Sequence, residues 1–385
     1  MPAVTILSGV ADDADILQAR RVVDMDPVIK QLEPDDAPFT VMLSQTSSRP
    51  AKSQKVEWLS DQLVPRLTTL AVAVLTGDTT ITVATGTGDY FRANDILRLA
   101  NGENVRVTSV ATDVLTVVRS IGTVAASGVA ISTDVIKIGN ASAEGATLGT
   151  IKMTQQVANY NYCQIQRDPL GFTKTLEASD LYGGKEPQYE AKQKMMEHRR
   201  QIENTLFFGQ RDITTAGSPV GYCGGLVEFI SSNITTVGGN LTESGFATFL
   251  RTAFRYGSRN KVLFASPLIV SALSSFAQSK LAPPSPDIKS YGVSLQEYRG
   301  ANGGTVKIVE KRDWLDYSTT SNQIGSWAVL VDMDDVTMRP LRKTALLPNR
   351  QAPDADTTIQ EYLTEYSLQV GVEQNHAILR GVTGY

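Results

Sequence analysis

At 385 residues, with 42% hydrophobic and 20% charged residues, the chain is long enough for two or three domains and too apolar to be disordered. Its 36 basic and 40 acidic residues leave a formal net charge of -4, so there is no basic excess to displace counterions from a nucleic acid, and sequence-specific DNA binding is disfavoured. Two cysteines, Cys163 and Cys223, and two histidines, His198 and His376, exclude a disulfide framework and weigh against histidine catalysis or a histidine metal cage.

The first residues carry no cationic region ahead of a short apolar run, and no stretch reaches the roughly 18 apolar residues of a membrane span, so a soluble intracellular protein is expected. Residues 1–56 are weakly periodic and broken by Pro27, Pro34, Pro38 and Pro50, which predicts an extended arm with little core of its own. From Leu70 to Ile138 the chain turns rich in Thr, Val, Gly and Ile. Val72 and Val74, a Gly77-Asp78 turn, then Ile81 and Val83 read as a hairpin, and alternation returns at Ile96 to Leu99, Val105 and Val107, Leu115 and Val117, and Val135 to Ile138. That spacing predicts a small barrel or sandwich. The flanks, Lys55 to Leu63 and Thr150 to Arg167, are extended and polar with Trp58, Tyr160 and Tyr162, so the β module reads as an insert on a two-stranded excursion.

Beyond Gly183 and Gly184, Pro187 suits the first turn of a long helix. Ala191, Met195, Ile202 and Leu206 share one face before Gly209, and Glu190, Lys194, Glu197, Arg200 and Glu203 are expected on a solvated face. An α/β unit follows from Gly239 to Asp335. Thr242 caps a helix with Phe246, Leu250, Ala253 and Phe254 inward, and Gly257 ends it in the left-handed conformation. Val262 to Ala265 is a strand, Ser266 and Pro267 open a helix with Ile269, Leu273 and Phe276 inward, and Pro283, Pro284 and Pro286 enforce a loop. Strands at Val306 to Val309 and Trp327 to Val331 complete the unit. Near the end Tyr366, Leu368, Val370 and Val372 alternate with Ser367, Gln369 and Gly371, one buried and one wet face.

Chemistry is sparse. His198 lies in a charged helical run beside Arg199 and Arg200, where a solvated or salt-bridged face is expected, and His376 reads as structural. Cys163 and Cys223 read as buried small hydrophobes. Asp332, Asp334 and Asp335 have carboxylates for a divalent cation but sit where a turn between strands wants Asp. The run from Thr85 to Asp89 opens no helix and reads as a hairpin loop, and no GxxxxGK[ST] or GxSxG motif occurs. No catalytic, cofactor-binding or metal-binding residue is assigned.

The stretches QQVANYNYCQIQRD at Gln155 to Asp168, TKTLEASDLYGGKEPQYEAKQKMMEHRRQIENTLFFGQR at Thr173 to Arg211, and EYSLQVGVEQNHAILRGVTGY at Glu365 to Tyr385 resemble major capsid proteins of tailed bacteriophages with the Hong Kong 97-like fold. The resemblance implies an α+β fold with an N-terminal arm at 1–56, an E-loop at 57–69 and 140–167, and a P-domain with a long spine helix at 168–238 and 336–385. It also implies an A-domain at 239–335, whose proline-rich loop from Leu281 to Gly292 is the candidate tip at a capsomer axis. The β module at 70–139 departs from a plain E-loop hairpin. Implied too is a self-assembling shell subunit of the virion, built in the host cytoplasm, with arm and E-loop docked on neighbours in hexameric and pentameric capsomers. Its expected partners are other copies, and a portal, scaffold or decoration protein. It would enclose double-stranded DNA without sequence-specific binding, touch no membrane and need no cofactor. An E-loop lysine crosslinks in the fold's namesake; Lys152 lies near that region but reads as a solvated lysine, and crosslinking is not carried over. The competing reading is a phage tail or adhesion protein with a ligand-binding β module.

Overall fold

The computed structural model describes residues 37–46, 49–147, 149, 151–179, 186–276, 281–282, 295–299, 303–318 and 323–384. They fall into two compact units, Leu59–Asn159 and the chain on either side of it. Helix α1 (Pro38–Gln45) and strand β1 (Lys55–Ser60) come first. The inserted strands follow: β2 (Leu67–Thr69), β3 (Thr80–Thr82), β4 (Asp95–Arg98), β5 (Asn104–Ala111), β6 (Val114–Val118) and β7 (Asp134–Asn140). Strand β8 (Val157–Tyr162) then returns to pair with β1.

In the inserted unit the strands lie in the order β2-β7-β4-β5-β6-β3. The two outer strands also meet, through a Leu70–Val83 bridge and the bonds Ala71 N–H to Thr82 O and Ala84 N–H to Thr69 O, both 2.9 Å. The sheet therefore closes on itself, and alternate residues fill it: Ile81, Leu97, Val105, Val107, Leu115, Val117 and Val135 are all buried. Val72 is exposed rather than part of a strand, because the first limb of the expected hairpin is β2 and the Leu70 bridge. Buried ion pairs cross this small core, among them Lys137–Asp95 at 2.6 Å. Glu103, fully buried, takes Nε and Nη2 of Arg119 at 2.7 Å each, and Arg119 also donates to the carbonyls of Leu75, Asp78 and Ser127. The Arg119 guanidinium pulls the Glu103 carboxyl down to about 2.

The larger unit resumes with β9 (Gln164–Thr173), α2 (Lys174–Ala178), the long helix α3 (Glu186–Phe208), the pair β10 (Asp212–Thr214) and β11 (Val220–Tyr222), and α4 (Leu226–Phe229). Then come β12 (Ile234–Asn240), α5 (Glu243–Ala253), β13 (Asn260–Ala265), α6 (Pro267–Phe276), β14 (Leu281–Ala282), β15 (Leu295–Arg299), β16 (Thr305–Glu310) and β17 (Ala328–Val331). The chain closes with β18 (Val336–Leu347), β19 (Thr357–Val370) and β20 (Ala377–Gly384). As expected, Thr242 Oγ1 caps α5 by accepting from Gly245 N–H, but the helix ends before Gly257, at Ala253 with Phe254 as its C-cap, and Gly257, at φ +78°, turns the chain beyond it. Ser266 precedes α6, but its hydroxyl is buried without a partner and caps nothing.

Seven strands form one sheet in the order β12-β20-β17-β13-β16-β15-β14. Its middle is buried on both faces, and side-chain alternation sorts it into two layers. Leu263, Ala265, Ala328 and Leu330 pack against Phe246, Phe249 and Leu250 of α5 and Ile269 and Leu273 of α6. Val262, Phe264, Val329 and Val331 face the other way, into a core with Phe39 of α1, Ile202, Leu206 and Phe207 of α3, and Trp314. Phe207 meets Phe264 and Trp314 edge-on at 5.3 and 5.4 Å. A second sheet, β18-β19-β9, sends Tyr366, Leu368 and Val370 into the same core. Gly209, just past the end of α3, leaves room for the Cys223 carbonyl oxygen, which a Cβ there would meet at 2.2 Å.

Three expectations change. The extended arm predicted over 1–56 does not hold from Ala37 onward: α1 is a helix whose Phe39 and Leu43 are core residues, because Pro38 starts a helix as readily as it breaks one. Residues 1–36 lie outside the described residues, as does most of the proline-rich loop. The face of α3 expected to be solvated instead buries Glu203 completely. Strands β12 and β20, which fall in the segments expected to form the P-domain, pair within the seven-stranded sheet beside β17.

Arg119→Ala strands a buried carboxylate in the inserted unit and should cost about 2–3 kcal/mol there. Amide exchange that accelerates in β2–β7 while α5 and β13 keep their protection would show it.

Candidate functional site

The candidate reactive groups are placed by the sheets, and burial decides what each can do. His198 on α3 is fully buried. Its Nδ1 lies 2.5 Å from Asp168 Oδ2 on β9, and its Nε2 lies 2.7 Å from Thr364 Oγ1 on β19. Carboxylate, imidazole and hydroxyl thus stand in the order of a hydrolytic triad. Thr364 is 1% exposed, so no substrate reaches the hydroxyl. The cluster joins helix to sheet, with Gln166 donating to the His198 carbonyl at 3.1 Å and to Gln201 Oε1 at 3.0 Å.

His376 is buried just before β20, where its Nδ1 accepts the Asp332 N–H at 3.2 Å. Burial pushes this imidazole down to about 4. Asp332 and Asp335, weighed as cation ligands, are spent on the chain itself. Asp332 accepts from Ser258 N–H at 2.6 Å and Ser258 Oγ at 2.9 Å. Asp335 accepts from Val372 N–H at 2.8 Å and Asn375 Nδ2 at 2.9 Å, so the two carboxylates brace different loops. Buried beside them, Lys261 donates to three carbonyls, Ala253, Tyr256 and Asn375, and neutralises the C-terminal end of α5. Burial lowers the Lys261 pKa.

Cys163 and Cys223 are both buried, and desolvation raises their thiols to about 11 and about 12, which makes them inert packing groups. Lys152 corrects the expectation of a solvated lysine. Its Nζ donates to the carbonyls of Asp89 and Phe91 at 2.9 and 2.7 Å, pinning the return limb of the excursion to the inserted sheet. The run from Thr85 to Asp89 is a loop in which Gly88 N–H bonds Asp113 Oδ1.

Sequence spacing missed the strongest polar junction. The Glu203 carboxylate receives Phe39 N–H at 3.0 Å, and Thr40 N–H and Thr40 Oγ1 at 2.7 Å, which caps α1 in place of the side chain Ala37 lacks. Lys311 Nζ, equally buried, bonds the same carboxylate at 3.1 Å. One glutamate on the long helix thereby holds the segment that leads back toward residues 1–36.

What remains available to other molecules is apolar surface in the excursion. Leu59 is 67% exposed, Leu63 90%, Ile151 82%, Met153 85% and Val157 60%. These five stand on the two limbs of the excursion, at 59–63 and 151–157. Among the described residues no helix is long and apolar enough to cross a membrane, and no group of His, Cys, Asp and Glu is disposed to hold a metal.

Comparison with known proteins adds the context. The family model of the SU10 major capsid protein matches residues 9–383. The major capsid protein of Pseudomonas phage PaMx41 is 29% identical over 209 residues, covering 53% of this chain and 49% of that one. This chain thus matches about half the length of that relative. Among solved structures, the capsid of a native GTA particle aligns over 95% of this chain and 96% of its own, with TM-score 0.50 and 8% identity. A chain from Mycobacterium phage Cain aligns over 98% and 99%, with TM-score 0.50 and 9% identity. Those likenesses are of fold alone, and the fold they share is the Hong Kong 97-like capsid fold.

Two outcomes follow from the buried groups. Glu203→Ala uncaps α1 and removes one of the two carboxylates at Lys311, Asp313 remaining at 3.2 Å, at a cost of about 2–3 kcal/mol; chymotrypsin should then cut at Phe39 or Leu43 in the folded protein, where native chain resists. His376 has a folded pKa of about 4 against 6.5, so below 6.5 the unfolded chain takes up a proton that the folded chain refuses. Stability should fall as the pH drops from 6.5 toward 4, and His376→Gln should flatten that limb in pH-resolved denaturant melts.

Proposed function

The chain belongs to the SU10 major capsid protein family, and from that premise we propose that it is the self-assembling, non-enzymatic subunit of an icosahedral phage head. The observation that carries this reading is the family match across residues 9–383 combined with large apolar side chains left bare in the excursion. A subunit repeated around closed symmetry axes can leave such groups exposed, because each copy supplies the cover for another.

In this reading the Hong Kong 97-like parts take the following roles. The N-terminal arm is the segment 1–56, within which α1 is fixed to the core through Phe39 and Leu43. The excursion is the E-loop, and Leu59, Leu63, Ile151, Met153 and Val157 are its contacts with a neighbouring subunit. The segments 168–238 and 336–385 form the P-domain on the spine helix α3, except that their strands β12 and β20 join the sheet of the A-domain at 239–335, which is directed at the axes of hexamers and pentamers. Portal, scaffold and decoration proteins meet the assembled shell, and double-stranded DNA is enclosed without sequence reading, in keeping with the net charge of -4. Assembly takes place in the host cytoplasm.

Purified full-length protein at high concentration, alone or with a scaffold, should form closed particles visible by electron microscopy. Changing Leu63, Ile151 and Met153 together to Ser should reduce particle yield at least tenfold without moving the monomer's melting midpoint by more than about 2 °C, since exposed side chains add little to folding. A wild-type chain that stays monomeric by light scattering under every condition would overturn the reading.

A further inference from the structure

The two histidines are held by opposite kinds of neighbours. At His376, Nδ1 accepts a backbone N–H, which requires that nitrogen to be bare and the ring to be neutral. At His198 the near neighbour of each nitrogen is an acceptor, and Gln166 Nε2, a donor 3.5 Å from Nδ1, gives its protons at shorter range to the His198 carbonyl and Gln201 Oε1. Asp168 offers a carboxylate to Nδ1. Thr364 Oγ1 gives its own proton to Thr344 Oγ1 at 2.8 Å, so toward Nε2 it acts as an acceptor. The ring meets both partners only when it carries two protons.

We propose that His198 is a proton-operated staple: as an imidazolium it fastens the long helix to all three strands of the β18-β19-β9 sheet, and loss of its second proton loosens that joint. The strands are reached in sequence, β9 through Asp168, β19 through Thr364 and β18 through Thr344. Thr344 sits in a register irregularity of β18 between Arg342 and Ala345, which brings its hydroxyl level with Thr364. The other groups around the ring are named by element. On α3, Lys194 senses the Asp168 charge and pairs with Glu197 at 2.6 Å, and Arg199 and Arg200 follow the histidine in sequence. On β9 there is Gln166, and on β19 the Tyr362 ring lies 6.0 Å away. Asp168 is the charge that stabilises the imidazolium, and its side chain is 14% exposed, so it gives the proton a route to solvent.

The sign is the reverse of that at His376. A ring that holds its second proton only when folded adds stability at acid pH, and that stability disappears as the pH rises and the proton leaves. The staple does not depend on the shell reading, because it operates within one folded chain.

The test uses the full chain labelled with ¹⁵N at histidine. With two histidines in the sequence, His376→Gln assigns both ring signals. At about pH 7, near where an ordinary imidazole titrates, His198 should show two protonated ring nitrogens and His376 one. The second readout is the melting midpoint of native chain minus that of His198→Gln between about pH 5.5 and about pH 8.5, either side of the ordinary imidazole range. The gap should shrink by more than half with rising pH, and Asp168→Asn should abolish the trend. If His198 shows a bare ring nitrogen at about pH 6, below the ordinary imidazole midpoint, or if the gap is constant with pH, the staple is an ordinary neutral hydrogen bond and the proposal fails. Should His198→Gln not fold, the ring spectrum of the native chain decides alone.

Discussion

The inner strands of the seven-stranded sheet are covered on both faces, and most of the larger unit follows from that constraint. A strand with two dry faces admits a polar side chain only where its charge is met, as Lys261 is near the start of β13, so the rest of β13 and all of β17 read as apolar runs, Val262 to Ala265 and Ala328 to Val331. Alternation then sends every second residue to α5 and α6 and the others to α1, α3 and Trp314. Two helical layers are thereby set by one pair of strands. Neither layer can shift without moving the other, because close-packed cores transmit displacement rather than absorb it. For a shell subunit, this is how elements at opposite sides of a sheet are kept in fixed relation.

Burial also decides the fate of the charged groups. Glu203 and Lys311, Glu103 and Arg119, and Lys261 with its three carbonyls are desolvated yet satisfied. Such arrangements add less net stability than apolar packing would, but they specify geometry, because an unmatched alternative leaves a charge stranded. In this chain the specified geometry is at junctions: where α1 meets α3, where loops converge on the inserted sheet, and where α5 ends.

Much of the architecture was legible in the sequence because it is written in periodicity. The inserted strands from Ile81 to Val135, the inward residues of α5 and α6, Gly257 at a left-handed turn and the long helix ending at Gly209 all follow from spacing and turn chemistry. The resemblance of Gln155 to Asp168 and Thr173 to Arg211 to capsid proteins carried the fold family. Junctions were not legible. Glu203 occupies a position that helical spacing assigns to the polar face, and only the arrival of α1 from far along the chain makes it buried. His198 was read beside its arginine neighbours, whereas its partners Asp168 and Thr364 come from strands 30 and 166 residues away. Pairings that distant leave no local pattern, and the same holds for the bare apolar groups of the excursion, which look like ordinary strand residues until their missing cover is seen.

The inserted sheet, closed through Leu70 and Val83, bears on a hazard of crowding. Where many copies of one chain stand close together, a free strand edge invites pairing from one copy to the next and growth without limit. A closed ring of strands offers no such edge. Copies of the inserted unit can meet through side chains alone, whose shapes can be matched or mismatched one residue at a time, without drawing one another into fibres.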